Sequence, residues 1–494
     1  MIRALGFALA LSLALSGPAQ AKWLRAESQK FVIYSDGDER SLREYVSILE
    51  DFDIVLRHYH GVSQKVAPLR KLEIYLVRDQ EELRRSTFAD SENLAGFYEA
   101  GEDDIFAVAT RDLGGRASSR GERSDTLFHE YTHHFISQYA TFPYPGWMVE
   151  GLAEYFATTE IWEGRLDVGE FNKGRAYTLS GPWIPLELLL GKANHELNQD
   201  ARLAYYAQAW LLTHYMLNNP QRRQQLEAYK ALVAEGGDPV ASMTQATGLD
   251  PKALKLALEA YTRKPLPYLT HGRQKLADAP IAITELSRSA DDLLLENQKL
   301  MNGVPDGAEK PLLETIRQRA ARYPGDRLAT LTLARAEVLY GEQPKGEALL
   351  TSWLAANPDD AEALRLSARS RLLSAFDATD AETAFKLAEE ARPFLVRASR
   401  LQKNSYQTFY YFTQSKMFEG NYPSDNDLML LLSAQSVAPQ VDTITFQAAQ
   451  ALVIHDRLEE ARPMLMRLAN DPHGGGLASA ARKLLDEASA KSAR

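Results

Sequence analysis

The chain has 494 residues, of which 45% are hydrophobic and 25% are charged, and it contains no cysteine. Its formal net charge of −10 at pH 7 argues against nucleic-acid binding, because proteins of that class carry a basic surface. The lack of cysteine excludes disulfides and thiolate metal sites, so stability must come from buried apolar cores, for which this length is sufficient across two or three domains.

The N-terminal residues have the pattern of a secretory signal peptide. Arg3 supplies a positive charge, an apolar stretch runs from Leu5 to Ser16, and Ala19 and Ala21 form a small-x-small cleavage site. We therefore expect cleavage after Ala21 and a periplasmic or secreted product. No later stretch has roughly eighteen uninterrupted apolar residues, so we expect no transmembrane segment in the mature chain.

Residues 22 to about 120 alternate between strand and helix patterns. Apolar residues at helical spacing predict a helix over 41–59. Short runs of β-branched and aromatic residues predict four strands, at 30–35, 72–77, 96–98 and 104–109. The sequence therefore predicts a small mixed sheet in this part of the chain.

His129, Glu130 and His133 form the pattern that is most informative about function. Positions i and i+4 of a helix lie on one face, so both imidazoles can bind the same ion. Glu130 directly follows the first imidazole, where its carboxylate can meet a water molecule held by that ion. This HExxH pattern is typical of zinc hydrolases, in which the glutamate acts as the general base.

A third ligand is available downstream. Catalytic zinc takes three protein ligands and a water, and without cysteine the third must be His, Asp or Glu. Pro145 and Gly146 break the chain after the first helix, and Glu150 follows in an apolar helical run, 17 positions after His133. Glu150 can therefore point back at the imidazoles. Glu154, one turn further on, is either a partner for a zinc-bound imidazole N–H or an exposed carboxylate.

The HExxH pattern followed by W-x-x-E-G-x-A-E-Y resembles the gluzincin metallopeptidases, and in particular the bacterial peptidase-MA-like domains. The resemblance implies an α+β zincin-type fold, a small mixed sheet plus helices, with Zn²⁺ held by His129, His133 and Glu150. One edge of such a sheet typically lines the substrate cleft, and the run from Gly96 to Tyr98 is the candidate edge strand. Val149 stands where the aminopeptidase branch has asparagine, which weakens an aminopeptidase assignment in particular.

The same resemblance gives a role to a tyrosine further along the chain. Gluzincins of this kind have a helix that opens with a tyrosine a few residues before a small residue, and Tyr205-Tyr206-Ala207 matches this pattern. The resemblance implies that Tyr206, with Tyr205 as the second choice, hydrogen-bonds the oxyanion of the tetrahedral intermediate. A phenol with a pKa of about 10 stays protonated at neutral pH and can donate that bond. The alternative is that both tyrosines pack in the core.

The last third of the chain has the pattern of paired helices. Tyr323-Pro324-Gly325-Asp326 and Asn357-Pro358-Asp359-Asp360 lie 34 residues apart, and Glu-Glu-Ala-Arg-Pro at 389–393 recurs at 459–463. A period of 34 to 35 resembles the tetratricopeptide (TPR) repeats. The resemblance implies an all-α solenoid that binds a protein partner. A helical solenoid without the strict repeat is the alternative.

These patterns predict a signal peptide over 1–21, a gluzincin-like metallopeptidase domain over 22–265, a connector over 266–300 and a TPR-like domain over 301–490. The predicted function is that of an exported zinc metallopeptidase that cleaves a peptide or protein substrate, with Glu130 as base, and binds a protein partner through its repeats. Two alternatives stay open. One is a catalytically inactive scaffold that acts through the repeats, and the other is a zinc amidase that acts on a cell-envelope substrate.

Overall fold

The computed structural model describes residues 23–88, 96–111, 122–140, 143–162, 164–191, 197–272, 280–471 and 474–492. The signal peptide predicted over 1–21 lies outside these ranges. Within them, no helix is both long enough and apolar enough to cross a membrane. The strands are β1 (Leu24–Glu27), β2 (Phe31–Ser35), β3 (Leu72–Val77), β4 (Gly96–Ala100), β5 (Ile105–Thr110), β6 (Glu160–Trp162), β7 (Arg165–Val168), β8 (Leu269–Gly272) and β9 (Ala282–Glu285).

The helices of the first part of the chain surround these strands. They are α1 (Glu39–His60), α2 (Gln80–Arg85), α3 (Glu122–Tyr139), α4 (Gly146–Ala157), α5 (Lys173–Leu179), α6 (Leu186–Gly191), α7 (Gln199–Leu217), α8 (Pro220–Ala234), α9 (Pro239–Thr247) and α10 (Pro251–Thr262). The HExxH residues lie on α3, and the W-x-x-E-G-x-A-E-Y segment forms most of α4. The segment between them ends at Pro145, which directly precedes α4.

A six-stranded sheet in the order β4-β5-β3-β2-β1-β9 forms the centre of this part. β2, β3 and β5 pair in parallel, whereas β4, β1 and β9 pair antiparallel with their neighbours. The small mixed sheet predicted from the sequence is therefore confirmed. In the described part of the chain β4 is an edge of this sheet, as expected for the run from Gly96 to Tyr98. A second sheet has the order β6-β7-β8.

The six-stranded sheet is apolar on both faces. This explains why part of the predicted connector is folded against the sheet instead of forming a loop. Ile33 and Ile74 are buried in the core that includes residues of α1 and α3, whereas Tyr75 and Phe106 are buried in a second cluster with Leu294. A sheet with two apolar faces needs cover on both. The described residues of the range 266–300, which are 266–272 and 280–300, are accordingly not a free connector. They supply β8 and β9 to the two sheets, and the helix that covers the second face.

Buried charged residues tie α1 to the HExxH helix. Asp53 is fully buried, and its carboxylate accepts bonds from Arg57 Nε at 2.6 Å and from the Tyr131 hydroxyl at 2.7 Å. Lys30 Nζ lies 2.9 Å from Asp53 and 2.7 Å from Glu50. Burial alone lowers the pKa of Lys30, but the two carboxylates outweigh burial and raise it. Tyr131 lies within the HExxH segment, so this network fixes α3 against α1.

α4 and α7 approach each other closely at Gly151. A Cβ at this position would stand 2.5 Å from the carbonyl oxygen of Ala209, and it would also overlap the Thr213 hydroxyl. A side chain would therefore force the helices apart. The glycine after Glu150 is explained by packing, and this close contact sets Glu150 on α4 relative to Tyr206 on α7.

From residue 290 the described chain continues as packed helices. They are α11 (Ala290–Met301), α12 (Glu309–Ala320), α13 (Arg327–Tyr340), α14 (Gln343–Ala356), α15 (Ala361–Phe376), α16 (Ala381–Leu401), α17 (Tyr406–Gln414), α18 (Asp425–Val437), α19 (Asp442–Ile454), α20 (Leu458–Ala469) and α21 (Gly475–Ser492). Asp326 and Asp360 cap the N-termini of α13 and α15 by accepting a bond from the backbone of the first turn. The recurring Pro-x-Asp segments are therefore helix starts.

The recurrence of Glu-Glu-Ala-Arg-Pro marks two equivalent helices, α16 and α20. Ala391 and Leu395 of α16 are fully buried, and so are Ala461 and Leu465 of α20. Proline stands inside both helices at the corresponding position. Identical residues thus occupy equivalent positions in the two helices. The helical repeat region predicted from the sequence is confirmed.

The repeat region packs directly on the sheet part. The Tyr406 hydroxyl donates to the carbonyl oxygen of Gly101, in the turn between β4 and β5, at 2.9 Å. Gln440 donates to the side chain of Gln138 near the end of α3 at 2.8 Å. One continuous apolar core includes residues from both parts. The helical repeats therefore border β4 and the HExxH helix.

Candidate metal centre

α3 and α4 bring three of the sequence-predicted residues together. His129 and His133 lie on one face of α3, with their Nε2 atoms 3.0 Å apart. Glu150 of α4 is fully buried, and its Oε2 lies 3.6 Å from Nε2 of each histidine. The i, i+4 spacing places both histidines on one face of α3. The turn before α4 brings the Glu150 carboxylate close to them.

The spacing of these donor atoms fits a zinc ion. Tetrahedral zinc binds imidazole nitrogen and carboxylate oxygen at about 2.0–2.2 Å, which sets the ligand atoms about 3.3–3.6 Å apart. The observed separations of 3.0 and 3.6 Å lie within a few tenths of that range. Two nitrogens and one oxygen are also a donor set that suits zinc. The His129 and His133 side chains are 17% and 15% exposed, so the site opens toward solvent on one side.

The charges around the site favour a cation. Burial alone lowers the pKa of His133, but the carboxylates of Glu150 and Glu130 raise it to about 9. Glu130 is half-buried on α3, one position after His129. The carboxylates thus produce a negative potential at the imidazoles. A divalent cation in the same place relieves that potential and keeps both imidazoles neutral.

Glu154 contacts the His129 ring through the nitrogen that does not face Glu150. Its Oε1 lies 3.4 Å from His129 Nδ1, on the side of the ring away from Glu150. Arg175 donates from Nε to the other Glu154 oxygen at 2.8 Å and from Nη2 to Oε1, and Asn172 contacts the same carboxylate at 3.4 Å. Glu154 is almost completely buried, so the exposed alternative is wrong. Its position suits a carboxylate that orients the imidazole.

We expect Glu154→Gln to weaken zinc binding about 10- to 100-fold, because the imidazole loses the carboxylate that orients it. Competition with a chromophoric zinc chelator measures this affinity. Glu187→Gln is the matched control, since Glu187 is exposed on α6. Equal zinc affinities for the two variants would contradict a role of Glu154 in orienting His129.

The two predicted tyrosines lie in different environments. Tyr205 is fully buried in the core, which favours the alternative in which this tyrosine packs there. Tyr206 is half-buried, and the guanidinium of Arg175 lies over its ring at 5.0 Å. Because Arg175 also binds Glu154, Tyr206 lies in the layer next to the imidazoles. Its role toward an oxyanion stays a prediction.

Sequence reasoning missed residues that support the site. Arg175 and Asn172 belong to the start of the short helix α5, where the Asn172 side chain caps the helix. The cap residue Asn172 was a local signal for the start of this helix, but not for its position next to the imidazoles. Tyr98 of β4 contacts His134 Nδ1 at 3.0 Å, and burial lowers the pKa of His134 to about 3. His134 is therefore a neutral packing residue that ties the sheet edge to α3.

No family model matches this chain, and no curated protein sequence matches it. Among solved structures, the chain is similar to TTC0263, a thermophilic TPR protein of Thermus thermophilus, with 18% identity and a TM-score of 0.33, over 40% of this chain and 98% of that one. It is also similar to MamA of AMB-1, with 17% identity and a TM-score of 0.24, over 36% and 96%. At these scores the likeness carries no argument about binding or activity.

Proposed function

We propose that this chain is an exported zinc-dependent hydrolase that cleaves peptide bonds, with the metal held by His129, His133 and Glu150. One observation carries the proposal: two imidazole nitrogens and one carboxylate oxygen converge at zinc-ligand spacing, 3.0–3.6 Å apart. Glu130 directly follows His129 on α3. The resemblance to gluzincin peptidases supports a zincin-type fold and a peptide substrate, and the signal-peptide pattern supports a periplasmic or secreted location.

The residues around the site can perform amide hydrolysis. Zinc, when bound, supplies a Lewis acid that lowers the pKa of a bound water to about 7. Glu130 accepts the proton from the attacking water and passes it to the leaving amine. The Tyr206 hydroxyl donates a hydrogen bond to the oxyanion. Glu154 keeps the His129 ring in position throughout.

The edge strand β4 offers a binding mode for an extended peptide. It borders α3, because Tyr98 of β4 contacts His134, the residue after His133. A peptide that adds to this edge forms backbone hydrogen bonds without regard to its side chains. We therefore propose an unfolded or extended segment as the substrate.

The helical repeats, in this proposal, bind a protein partner. Large apolar side chains are exposed on several of their helices, among them Phe376, Met429 and Ile454, which are 46%, 60% and 62% exposed. Exposed apolar side chains of this size contribute to protein contacts when they lie within one surface. The TPR-like repeat supports the same role.

Metal analysis together with a chelator tests the proposal. We expect about one zinc per purified chain, because the ligand set is complete for a catalytic site. We also expect 1,10-phenanthroline to abolish cleavage of a fluorogenic peptide library, and added zinc to restore it. The non-chelating isomer 1,7-phenanthroline is the control. A chain that binds no zinc and cleaves no peptide would leave only the scaffold function, and cleavage of cell-wall amides alone would favour the amidase.

A further inference from the structure

A second concave site lies away from the imidazoles, between the six-stranded sheet and the helical repeats. It is a cavity of about 480 Å³, lined by residues of β2, β3, the β4–β5 turn, α11, α13, α15 and α17. This volume lies in the range of pockets that hold small molecules. None of the residues proposed as zinc ligands lines it, so the cavity has no part in the proposed hydrolysis.

The cavity wall carries more positive than negative side chains. Its cationic residues are Arg70, Arg327, Arg335, Arg365 and Arg369. Its carboxylates are Glu73, Asp103, Asp104 and Glu362. The formal balance is one positive charge. Burial and the neighbouring Asp104 raise the pKa of Glu73 to about 7. Protonation of Glu73 removes one negative charge and makes the cavity more positive.

Three of these arginines are neutralised by carboxylates of the protein itself. Arg327 and Arg335 both contact Glu362 at 2.8 Å, and Arg327 also contacts Asp360 at 2.8 Å. Arg70 contacts Asp104. These ion pairs connect the elements that form the cavity wall. The two remaining arginines of the wall, Arg365 and Arg369, lie on α15.

Arg365 and Arg369 lie one turn apart on α15. Arg365 has no ion pair with a carboxylate in the described part of the chain, whereas Arg369 has a long one, to Asp103, and also donates to the amide oxygen of Gln414 at 3.4 Å. Arg365 is half-buried and donates to the amide oxygen of Gln402, which is uncharged. Arg369 lies over the ring of Tyr411 at 5.3 Å, and its nearest carboxylate, Asp103, is 4.0 Å away. The Nε of Arg369 is buried without a hydrogen-bond partner among the described residues.

We propose that this cavity binds a small molecule that bears a carboxylate or phosphate group, with Arg365 and Arg369 as its cationic partners. A planar guanidinium matches either oxyanion through two parallel N–H donors. An anion at this point would give Arg365 a negatively charged partner, which the uncharged amide of Gln402 is not. Burial lowers the pKa of Arg365, and Arg70 and Arg335 lower it further, against the opposing effects of Glu362 and Tyr411.

Thermal shift and calorimetry on the zinc-loaded full chain test this proposal. The probes are inorganic phosphate and succinate, which separate the two sources of oxyanion, with succinamide as the uncharged control of similar size. All are used at matched ionic strength. We expect phosphate or succinate, and not succinamide, to raise the Tm, because a ligand that binds only the folded state stabilises it.

The variant Arg365→Gln identifies the site. We expect it to bind the anion about tenfold or more weakly, because it loses a charge-assisted hydrogen bond. Arg400→Gln is the matched control, since it removes the same charge from an exposed position on α16. The zinc content of both variants should equal that of the wild type, which separates this site from anion binding at the metal.

Two outcomes would overturn the proposal. The first is no Tm shift and no heat with either anion in the wild type. The second is equal anion affinity in the wild type, Arg365→Gln and Arg400→Gln, which would mean that the anion binds elsewhere. If Arg365→Gln does not fold, Arg369→Gln supplies the same comparison, because it removes the neighbouring cation of the cavity.

Discussion

Replacing Glu130 by glutamine should keep zinc bound and abolish hydrolysis. The amide has nearly the same size as the carboxylate and is not a zinc ligand in this arrangement, so the two imidazoles and Glu150 are left intact. It cannot accept a proton, and a positioned general base contributes about 10²- to 10⁴-fold to such reactions. We expect a loss of kcat/KM of about that size or greater on a fluorogenic peptide.

Two further variants make the Glu130→Gln result specific. His129→Ala should lose both zinc and activity, because it removes one of the three ligands. Glu227→Gln should lose neither, since Glu227 lies on α8, where its only described ion pair is with Lys230. If Glu130→Gln cleaved peptides as fast as the wild type, Glu130 would not be the base, and the proposed mechanism would be wrong.

The elements that position the site were readable because each has a recognisable apolar pattern. The run of β-branched and aromatic residues at 72–77 and the helical spacing over 41–59 reappear as β3 and α1. The histidine pair needed only helix geometry, since i and i+4 always share a face. Glu150 required one more step, a chain reversal, which Pro145 and Gly146 supplied.

The support of the site was readable only at Glu154, because the residues that bind Glu154 are distant from it in sequence. Glu154 contacts His129, and Arg175 binds Glu154 from α5, a helix of seven residues. A helix this short has too few turns for a periodic apolar face. Nothing in the local sequence therefore indicated that Arg175 lies near the imidazoles.

The predicted connector was misread for a related reason. Few apolar runs occur between residues 266 and 290, so the local pattern alone favours a loop. Their strands are instead stabilised by partners more than a hundred residues away, as when Ile283 of β9 pairs with Ala26 of β1. Edge strands take part of their stability from the sheet they join, and a sequence window does not contain that sheet.

Asp53→Ala should cause a large loss of stability, about 3–5 kcal/mol in the free energy of unfolding. Asp53 is fully buried and is the shared partner of Lys30 and Arg57. Removing it leaves two buried cations with one fewer carboxylate, which is costly in a medium that water does not reach. Urea unfolding at neutral pH measures the loss. Glu44→Ala is the control, because Glu44 is exposed on the same helix.

The Asp53 variant also tests how the HExxH helix is held. The Tyr131 hydroxyl donates to Asp53 at 2.7 Å from within the HExxH segment, so α3 loses a fixed contact with α1 when the carboxylate is removed. Tyr131→Phe removes the same bond without leaving a buried cation, and we expect it to cost about 1 kcal/mol. Zinc affinity should fall in both variants if this bond positions the imidazoles. An unfolding free energy for Asp53→Ala equal to that of Glu44→Ala would show that the buried network does not stabilise the fold.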